Sequence, residues 1–331
     1  MNPFAYARVS TSAAAVDAAA RDTGSAYLAG GTTLIDLMQL EVLNPVSLVD
    51  VSALPLAQIQ PLPGGGLRLG ALARNSEVAR HSAVREGFPA LSEAILSGAS
   101  AQIRNMATTG GNLLQRTRCY YFRDVASPCN KRVPGTGCSA VGGYNRIHAV
   151  LGTSQKCIAS FPGDMPVALA ALDAVVRTRR PHGGERSIPI DAFYVPYGED
   201  PARETVLEHG ELITAVDLPA AGWLARSHYL KVRDRASYEF ALASAAVALD
   251  IQSGKVRQAR VALGGVATKP WRALEAEKAL IGSAPLAAAF AAAAEAALRG
   301  AQPQAHNGFK VELCKRTVTR ALEHAAAMGS A

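Results

Sequence analysis

Four of the five cysteines fall in one stretch: Cys119, Cys129, Cys138 and Cys157, with only Cys314 elsewhere. Four thiols in a Gly- and Pro-rich loop can do three kinds of chemistry. They can pair as two disulfides, with three possible connectivities. They can hold a tetrahedral zinc ion as thiolates. They can ligate a [4Fe-4S] cluster, which also takes four thiolates. Nine, eight and eighteen residues separate successive cysteines, so the closely spaced pairs usual in zinc sites are missing. A chain of 331 residues, 49% hydrophobic, can build a core without disulfide staples. Its opening, Met1-Asn2-Pro3-Phe4, lacks the basic and apolar regions of a secretory signal, so no export signal is expected in this chain.

The cysteine loop is basic. Arg116, Arg118, Arg123, Lys131, Arg132 and Arg146 face Asp124 alone. Four thiolates on iron leave net negative charge, which nearby cations stabilise; a solvated surface loop would look the same. Tyr120, Tyr121 and Phe122 could shield one side of a cluster, and His148 is a further candidate ligand, although four cysteines already suffice.

Two glycine segments carry a second chemistry. In Tyr27-Leu28-Ala29-Gly30-Gly31-Thr32-Thr33-Leu34 the glycines let backbone approach a ligand, consecutive amides can form an anion nest, and two threonines add hydroxyl donors. The segment Thr108-Thr109-Gly110-Gly111-Asn112 repeats these features. Neither is the G-x-G-x-x-G of a dinucleotide fold of the Rossmann type. Two such turns favour a dinucleotide over a mononucleotide.

The elements that must position these segments follow from periodicity and caps. The pattern predicts a helix over 13–22, a strand over 25–28, a helix over 33–41 capped by Thr32, and a strand over 47–50: a βαβ-like unit. A strand over 67–72, a helix starting at Asn75 or Ser76, a helix ending near Gly98, a helix over 164–171 and a strand over 173–178 come next. After Pro219-Ala220-Ala221-Gly222, alternation around 227–232, 245–251 and 256–263 predicts three antiparallel strands, with Ser253-Gly254 as a hairpin turn. Helices over 285–298 and 309–326 close the chain. The net charge is +7, yet there is no nucleic-acid module. No apolar run has the length of a membrane span, so neither nucleic acid nor membrane is an expected partner.

Taken together, these residues resemble the FAD-binding subunit of the molybdenum hydroxylases, the xanthine dehydrogenase and aldehyde oxidoreductase family. The resemblance rests on Ala29-Gly30-Gly31-Thr32-Thr33-Leu34, on Gln102-Ile103-Arg104-Asn105-Met106-Ala107-Thr108-Thr109-Gly110-Gly111-Asn112, on Pro162-Gly163-Asp164-Met165, on Lys231-Val232-Arg233-Asp234-Arg235, and on Phe309-Lys310-Val311-Glu312-Leu313 with Arg320-Ala321-Leu322. The cysteine insert resembles that of bacterial periplasmic aldehyde oxidoreductases, whose flavin subunit carries a [4Fe-4S] cluster; a related cluster occurs in 4-hydroxybenzoyl-CoA reductase.

The resemblance implies an α+β chain: a flavin-binding domain of the PCMH (vanillyl-alcohol-oxidase-like) type, with two α/β subdomains over 1–55 and 56–222 and an iron-sulfur insert over 115–158. A C-terminal α+β domain with a three-stranded antiparallel sheet would follow over 223–331. FAD would lie on Ala26, Tyr27, Leu28, Ala29, Gly30, Gly31, Thr32, Thr33, Leu34, Thr108, Gly111 and Asn112. Asp164 would accept from a ribose or ribityl hydroxyl, Ile213 would pack on the adenine side, and Lys231 would sit near the flavin ring. Asp164 reads equally well as a helix cap, and Lys231 as a surface lysine. Cys119, Cys129, Cys138 and Cys157 would hold one [4Fe-4S] cluster, and Cys314 would be a buried inert thiol. A molybdenum-cofactor-binding large subunit would oxidise an aldehyde. A small subunit with two [2Fe-2S] clusters would relay electrons to this chain, which would deliver them to an external acceptor and hold no catalytic residue itself. Export with a partner would place the complex in the periplasm, and otherwise it would be cytoplasmic. Two other readings are a 4-hydroxybenzoyl-CoA reductase-like subunit and a stand-alone FAD oxidoreductase with a structural zinc loop.

Overall fold

The computed structural model describes residues 1–329 and contains three sheets with helices packed on and between them. The first sheet is parallel, in the order Ala5–Arg8, Ser47–Asp50, Ser25–Leu28. Parallel strands need crossovers, here the helices Ser12–Ala20 and Leu34–Gln39. Thr11 caps the first by accepting the Ala14 N–H at 3.1 Å. The second is shorter than expected. Thr33, not Thr32, occupies its N-cap without a side-chain capping bond, and Glu41 turns left-handed at φ 58°.

The second sheet is antiparallel, in the order Ile59–Pro61, Leu67–Gly70, Leu212–Leu218, Val175–Arg179, Glu185–Pro189. Its central strand, Leu212–Leu218, comes from far along the chain and carries Ile213. Helices Pro89–Ser97 and Met165–Ala171 share one buried core with the sheet, to which they contribute Leu91, Ile95, Met165 and Leu169. Pro89 and Pro166 each stand in a first helical turn, where a missing N–H costs nothing. The segment Thr108–Asn112 is not an open turn. It begins the short helix Thr109–Leu113, and Thr108 caps it by accepting the Gly111 N–H at 3.3 Å.

The third sheet is antiparallel and has one strand more than expected: Trp271–Arg272, Lys255–Gly264, Ala243–Gln252, Ser227–Val232. The two residues of the extra strand are too few to show alternation. Ser253 and Gly254 both have positive φ, 50° and 72°, as the tightest hairpin turns require.

This sheet is a wall shared by two cores, because successive side chains point to opposite faces. Ala246, Ala248 and Ala262 face the core of the second subdomain. Ala245, Val247, Leu249, Val261 and Leu263 face the opposite core, with Cys314, Val318, Ala321 and Leu322 of the final helix Phe309–Ala327. The small alanines on the first face let helix Met165–Ala171 lie close. The chain is α+β, and among the described residues no helix is long and apolar enough to cross a membrane.

Candidate functional site

The two glycine segments meet. Gly30 lies so close to the end of helix Ala101–Met106 that a Cβ there would be 2.1 Å from the Met106 carbonyl oxygen. Gly31 adopts φ 71°, which glycine enters freely. The second segment is tied to the second sheet's edge: Thr109 N–H donates to Ala73 O at 3.0 Å and Gly110 N–H to Ala71 O at 2.8 Å.

Two cavities, of about 310 and 410 Å³, open on either side of this junction and share Thr32, Thr33 and Gly111. The smaller is largely apolar and is lined by Ala26, Tyr27, Ala29, Gly30, Gly31, Leu34, Leu72, Thr108 and Ile213. The larger is more polar than the smaller: Asn75, Arg104, Asn112, Arg118, Arg123, Asp164 and Lys231 line it together with Ile95, Ile103, Met165 and Phe240. The resulting cleft has an apolar end, a waist of glycine backbone and hydroxyls, and a polar end. Such an arrangement suits an elongated ligand with an aromatic base at one end and a diphosphate at the waist. Leu28 alone among the expected flavin contacts lines neither cavity; it belongs to the strand, and its carbonyl accepts the Val51 N–H at 3.0 Å.

Asp164 and Lys231 form a buried ion pair at 2.8 Å, side chains 9% and 4% exposed. Tyr229 Oη donates to the other Asp164 oxygen at 2.6 Å, and Lys231 also donates to Ser97 O at 3.2 Å. Asp164 occupies the N-cap position of helix Met165–Ala171, but its side chain makes no capping bond there. Lys231 lines the polar cavity with its charge already matched, so it is neither a surface lysine nor a free cation.

Sequence reasoning missed two features of the polar end. Asn75 is 4% exposed, and its Oδ1 has no hydrogen-bond partner. A buried amide oxygen without a donor is costly, so this atom awaits a hydroxyl or N–H from an occupant of the cleft. Asp36 binds both Arg118 and Arg123. Its only sequence signal is an acid in the first turn of the helix after the glycine pair.

The four loop cysteines converge. Cys119, Cys129 and Cys157 are buried in one cluster with Leu37, Phe122 and Tyr197, and Cys138 packs against it half-buried. Cys129 and Cys138 face each other across an isolated β-bridge. Among the described residues every cysteine is a free thiol, so two disulfides are not formed. Burial pushes the Cys119 thiol up to about 12 and that of Cys157 to about 11. Both therefore stay protonated near neutral pH unless a metal displaces the proton.

Among the described residues no three His, Cys, Asp or Glu side chains are close enough to hold one metal ion. A tetrahedral zinc with bonds of about 2.3 Å needs its sulfurs within about 4 Å of one another. A cubane binds each thiolate to a different iron and spreads them farther apart. Four thiols gathered in one cluster match the number of thiolates that such a body takes. Lys131 is fully buried at the cluster, donating to Glu204 at 2.7 Å and lying 3.6 Å from the Tyr197 ring centroid. Phe122 is buried beside the thiols, whereas Tyr120 is 48% exposed and stacks on Tyr144. His148 Nε2 lies 3.1 Å from Cys119 Sγ. Burial and the Lys310 charge lower the His148 pKa to about 4, so its ring is neutral.

The far end of the loop is held from the C-terminal helix. Lys310, with no exposed surface, donates to the carbonyls of Ile147 at 3.1 Å, His148 at 2.9 Å and Gly265 at 2.5 Å. Asn307 Nδ2 donates to His148 O and Ala149 O at 3.3 and 3.2 Å.

Two family models between them match most of the chain. Residues 2–221 match the family described as the FAD binding domain in molybdopterin dehydrogenase, and residues 228–325 match the CO dehydrogenase flavoprotein C-terminal domain. The chain is 50% identical over 328 residues to the aldehyde oxidoreductase FAD-binding subunit PaoB of Escherichia coli, covering 99% of each chain. It is 27% identical to the glyceraldehyde dehydrogenase medium chain of Sulfolobus acidocaldarius, covering 84% of this chain and 81% of the other. The structure superposes on a chain of the carbon monoxide dehydrogenase of Hydrogenophaga pseudoflava with a TM-score of 0.77, 26% identity and 98% coverage of both chains. The chain belongs to the FAD-binding subunits of the molybdenum hydroxylase family and is an oxidoreductase subunit.

Proposed function

We propose that this chain is the FAD- and [4Fe-4S]-carrying electron-transfer subunit of a heterotrimeric, molybdenum-dependent aldehyde oxidoreductase. The observation that carries the reading is the 50% identity to an aldehyde oxidoreductase FAD-binding subunit along nearly the whole chain. On this reading a large subunit with the molybdenum cofactor oxidises the aldehyde. A small subunit with two [2Fe-2S] clusters delivers the electrons. This chain passes them to an external acceptor, in the periplasm if a partner carries the export signal. Its division is 1–55, 56–222 with the insert 115–158, and 223–331.

The apolar end of the cleft, with Ala26, Tyr27 and Ile213, receives the adenine. Backbone amides of Gly30 and Gly31, with the hydroxyls of Thr32, Thr33 and Thr108, hold the pyrophosphate, and Gly111 lines the same waist without a side chain in the way. Asn112 and the unpartnered Asn75 Oδ1 face the ribityl and ring end. Asp164 accepts a ligand hydroxyl on the lone pairs that Tyr229 and Lys231 leave free. Lys231 lies near the ring, where its Nζ donates to Asp164 and Ser97 O and has a further N–H to offer the ligand. Bound FAD supplies the exchange between one- and two-electron chemistry. Cys119, Cys129, Cys138 and Cys157 are the cluster ligands, and Lys131 and Arg116 balance their charge.

The test is recovery of the complex by a tag on this chain, with molybdenum, iron, labile sulfide and flavin measured together. Two partner subunits and about four irons and four sulfides beyond those of the [2Fe-2S] subunit are expected. Zinc in place of the extra iron under anaerobic preparation would reject the cluster and leave the flavin assignment standing. Steady aldehyde turnover by the lone chain, free of molybdenum, would overturn the division of labour.

A further inference from the structure

We propose that Asp36 is a positioning residue that couples the cysteine loop to the flavin cleft, holding Arg118 and Arg123 so that order in the loop is felt as FAD affinity. The proposal rests on the flavin reading of the cleft and needs no particular metal in the loop.

Asp36 stands in the first turn of helix Leu34–Gln39, which begins where the glycine pair and its threonines end. Its Oδ2 accepts from Arg118 Nη1 at 3.0 Å and Arg123 Nη1 at 2.9 Å, and its Oδ1 accepts from Arg123 Nη2 at 2.9 Å. Arg123 is thus held bidentately, the ion-pair geometry with the most directional strength. All three side chains line the polar cavity. Both arginines belong to the cysteine loop: Arg118 directly precedes Cys119, and Arg123 ends the short helix Tyr120–Arg123 that follows it. The neighbouring Leu37 packs into the thiol cluster beside Phe122, so helix Leu34–Gln39 grips the loop through an apolar and a polar contact on adjacent residues. Arg118 also lies over the Phe240 ring at 4.8 Å, and Phe240 lines the same cavity.

One carboxylate therefore ties three walls of the polar cavity together: the helix after the glycine turn, the cysteine loop and the segment around Phe240. An isolated ion pair a quarter to a third exposed contributes little. Here one anion serves two guanidiniums that repel each other, and its loss would leave the two cations side by side on the cavity wall. A contact shared by two sites makes the coupling reciprocal: whatever orders the loop tightens FAD, and FAD orders the loop to the same degree.

The experiment uses the full chain as isolated, with any subunits that copurify, comparing the parent with Asp36→Asn, Asp36→Glu and Arg123→Lys. FAD affinity is read from flavin fluorescence. Loop order is read from the rate of tryptic cleavage within residues 116–146, with and without saturating FAD. Asp36→Asn should weaken FAD binding roughly tenfold, a typical coupling between sites. Arg123→Lys, which keeps the charge but loses the bidentate fork, should weaken it by about threefold, and Asp36→Glu should recover most of the parent affinity. Saturating FAD should slow loop cleavage in the parent and no longer do so in Asp36→Asn. Affinities within twofold of the parent in both Asp36→Asn and Arg123→Lys, or equal protection by FAD in the parent and Asp36→Asn, would overturn the coupling. A parent chain that binds no FAD would overturn the flavin reading itself, a separable result.

Discussion

Gly30→Ala is the sharpest perturbation the structure offers. The added carbon would lie 2.1 Å from the Met106 carbonyl oxygen, 2.8 Å from its carbon and 3.2 Å from Ala107 Cα. All three are backbone atoms, so no side chain can swing away. Restoring a carbon–oxygen contact of about 3.3 Å requires the two glycine segments to part by roughly 1 Å. Overpacking of this kind costs about 1–3 kcal/mol, and it falls at the waist of the cleft, where both sides must reach the same ligand. If the displacement is carried wholly into binding, FAD affinity drops by a factor of about ten to a hundred. The assay is flavin content per chain after desalting, with the unfolding midpoint of the ligand-free protein as control. Full flavin retention with an unchanged midpoint would refute the argument, because the two segments would then not be in contact.

Three further outcomes follow from the same structure. Gly31→Val should lower FAD occupancy by a different route, since a β-branched residue at φ 71° is strained by about 1–2 kcal/mol and crowds Ile35 Cγ1 at 3.1 Å; flavin retention equal to the parent would count against it. Each single Cys→Ser change at 119, 129, 138 and 157 should lower iron and sulfide content and loop order. Cys314→Ser should leave cofactors intact but lower stability by about 1–3 kcal/mol, because a hydroxyl would enter a fully buried site; metal analysis and urea unfolding separate the two effects. The hydrogen bond from Arg123 holds the Asp36 carboxyl below its usual 3.8. Its stabilising contribution is therefore complete above that pH and is lost as pH falls through the lower folded-state value. Parent and Asp36→Asn should differ in urea midpoint at pH 6, and the difference should shrink as pH falls below 3.8.

What could be read from residues alone divides by range. Ser25–Leu28 and Ser47–Asp50 were legible to the residue, because alternation and flanking turn residues are local signals. Leu212–Leu218 was not recognised as the centre of the second sheet, since its partners Leu67–Gly70 and Val175–Arg179 are distant in the chain. The helix at Thr109–Leu113 was hidden by its two glycines, which read as a turn until Thr108 caps it. Most flavin-contact expectations converge on the cleft because the motif is contiguous in sequence. The partners of Asp164 and Lys231, the bare Asn75 amide and the Asp36 clamp are tertiary facts with no periodicity to betray them. The cysteine loop has no repeating pattern at all, so its docking on helix Leu34–Gln39 could not be foreseen.

The grip of Lys310 and Asn307 on residues 147–149 orders events in time. All four loop cysteines precede position 158, yet the side chains that fasten the loop's far end lie at positions 307 and 310. During synthesis from the N-terminus, the thiols emerge well before their fastening does. A nascent chain therefore presents four sulfurs on a loop that helix Leu34–Gln39 can already hold through Asp36 and Leu37 but whose residues 147–149 are not yet fastened. Arrival of the final helix then fastens them. A chain cut before residue 307 would keep all four cysteines of the insert and lose the latch behind them.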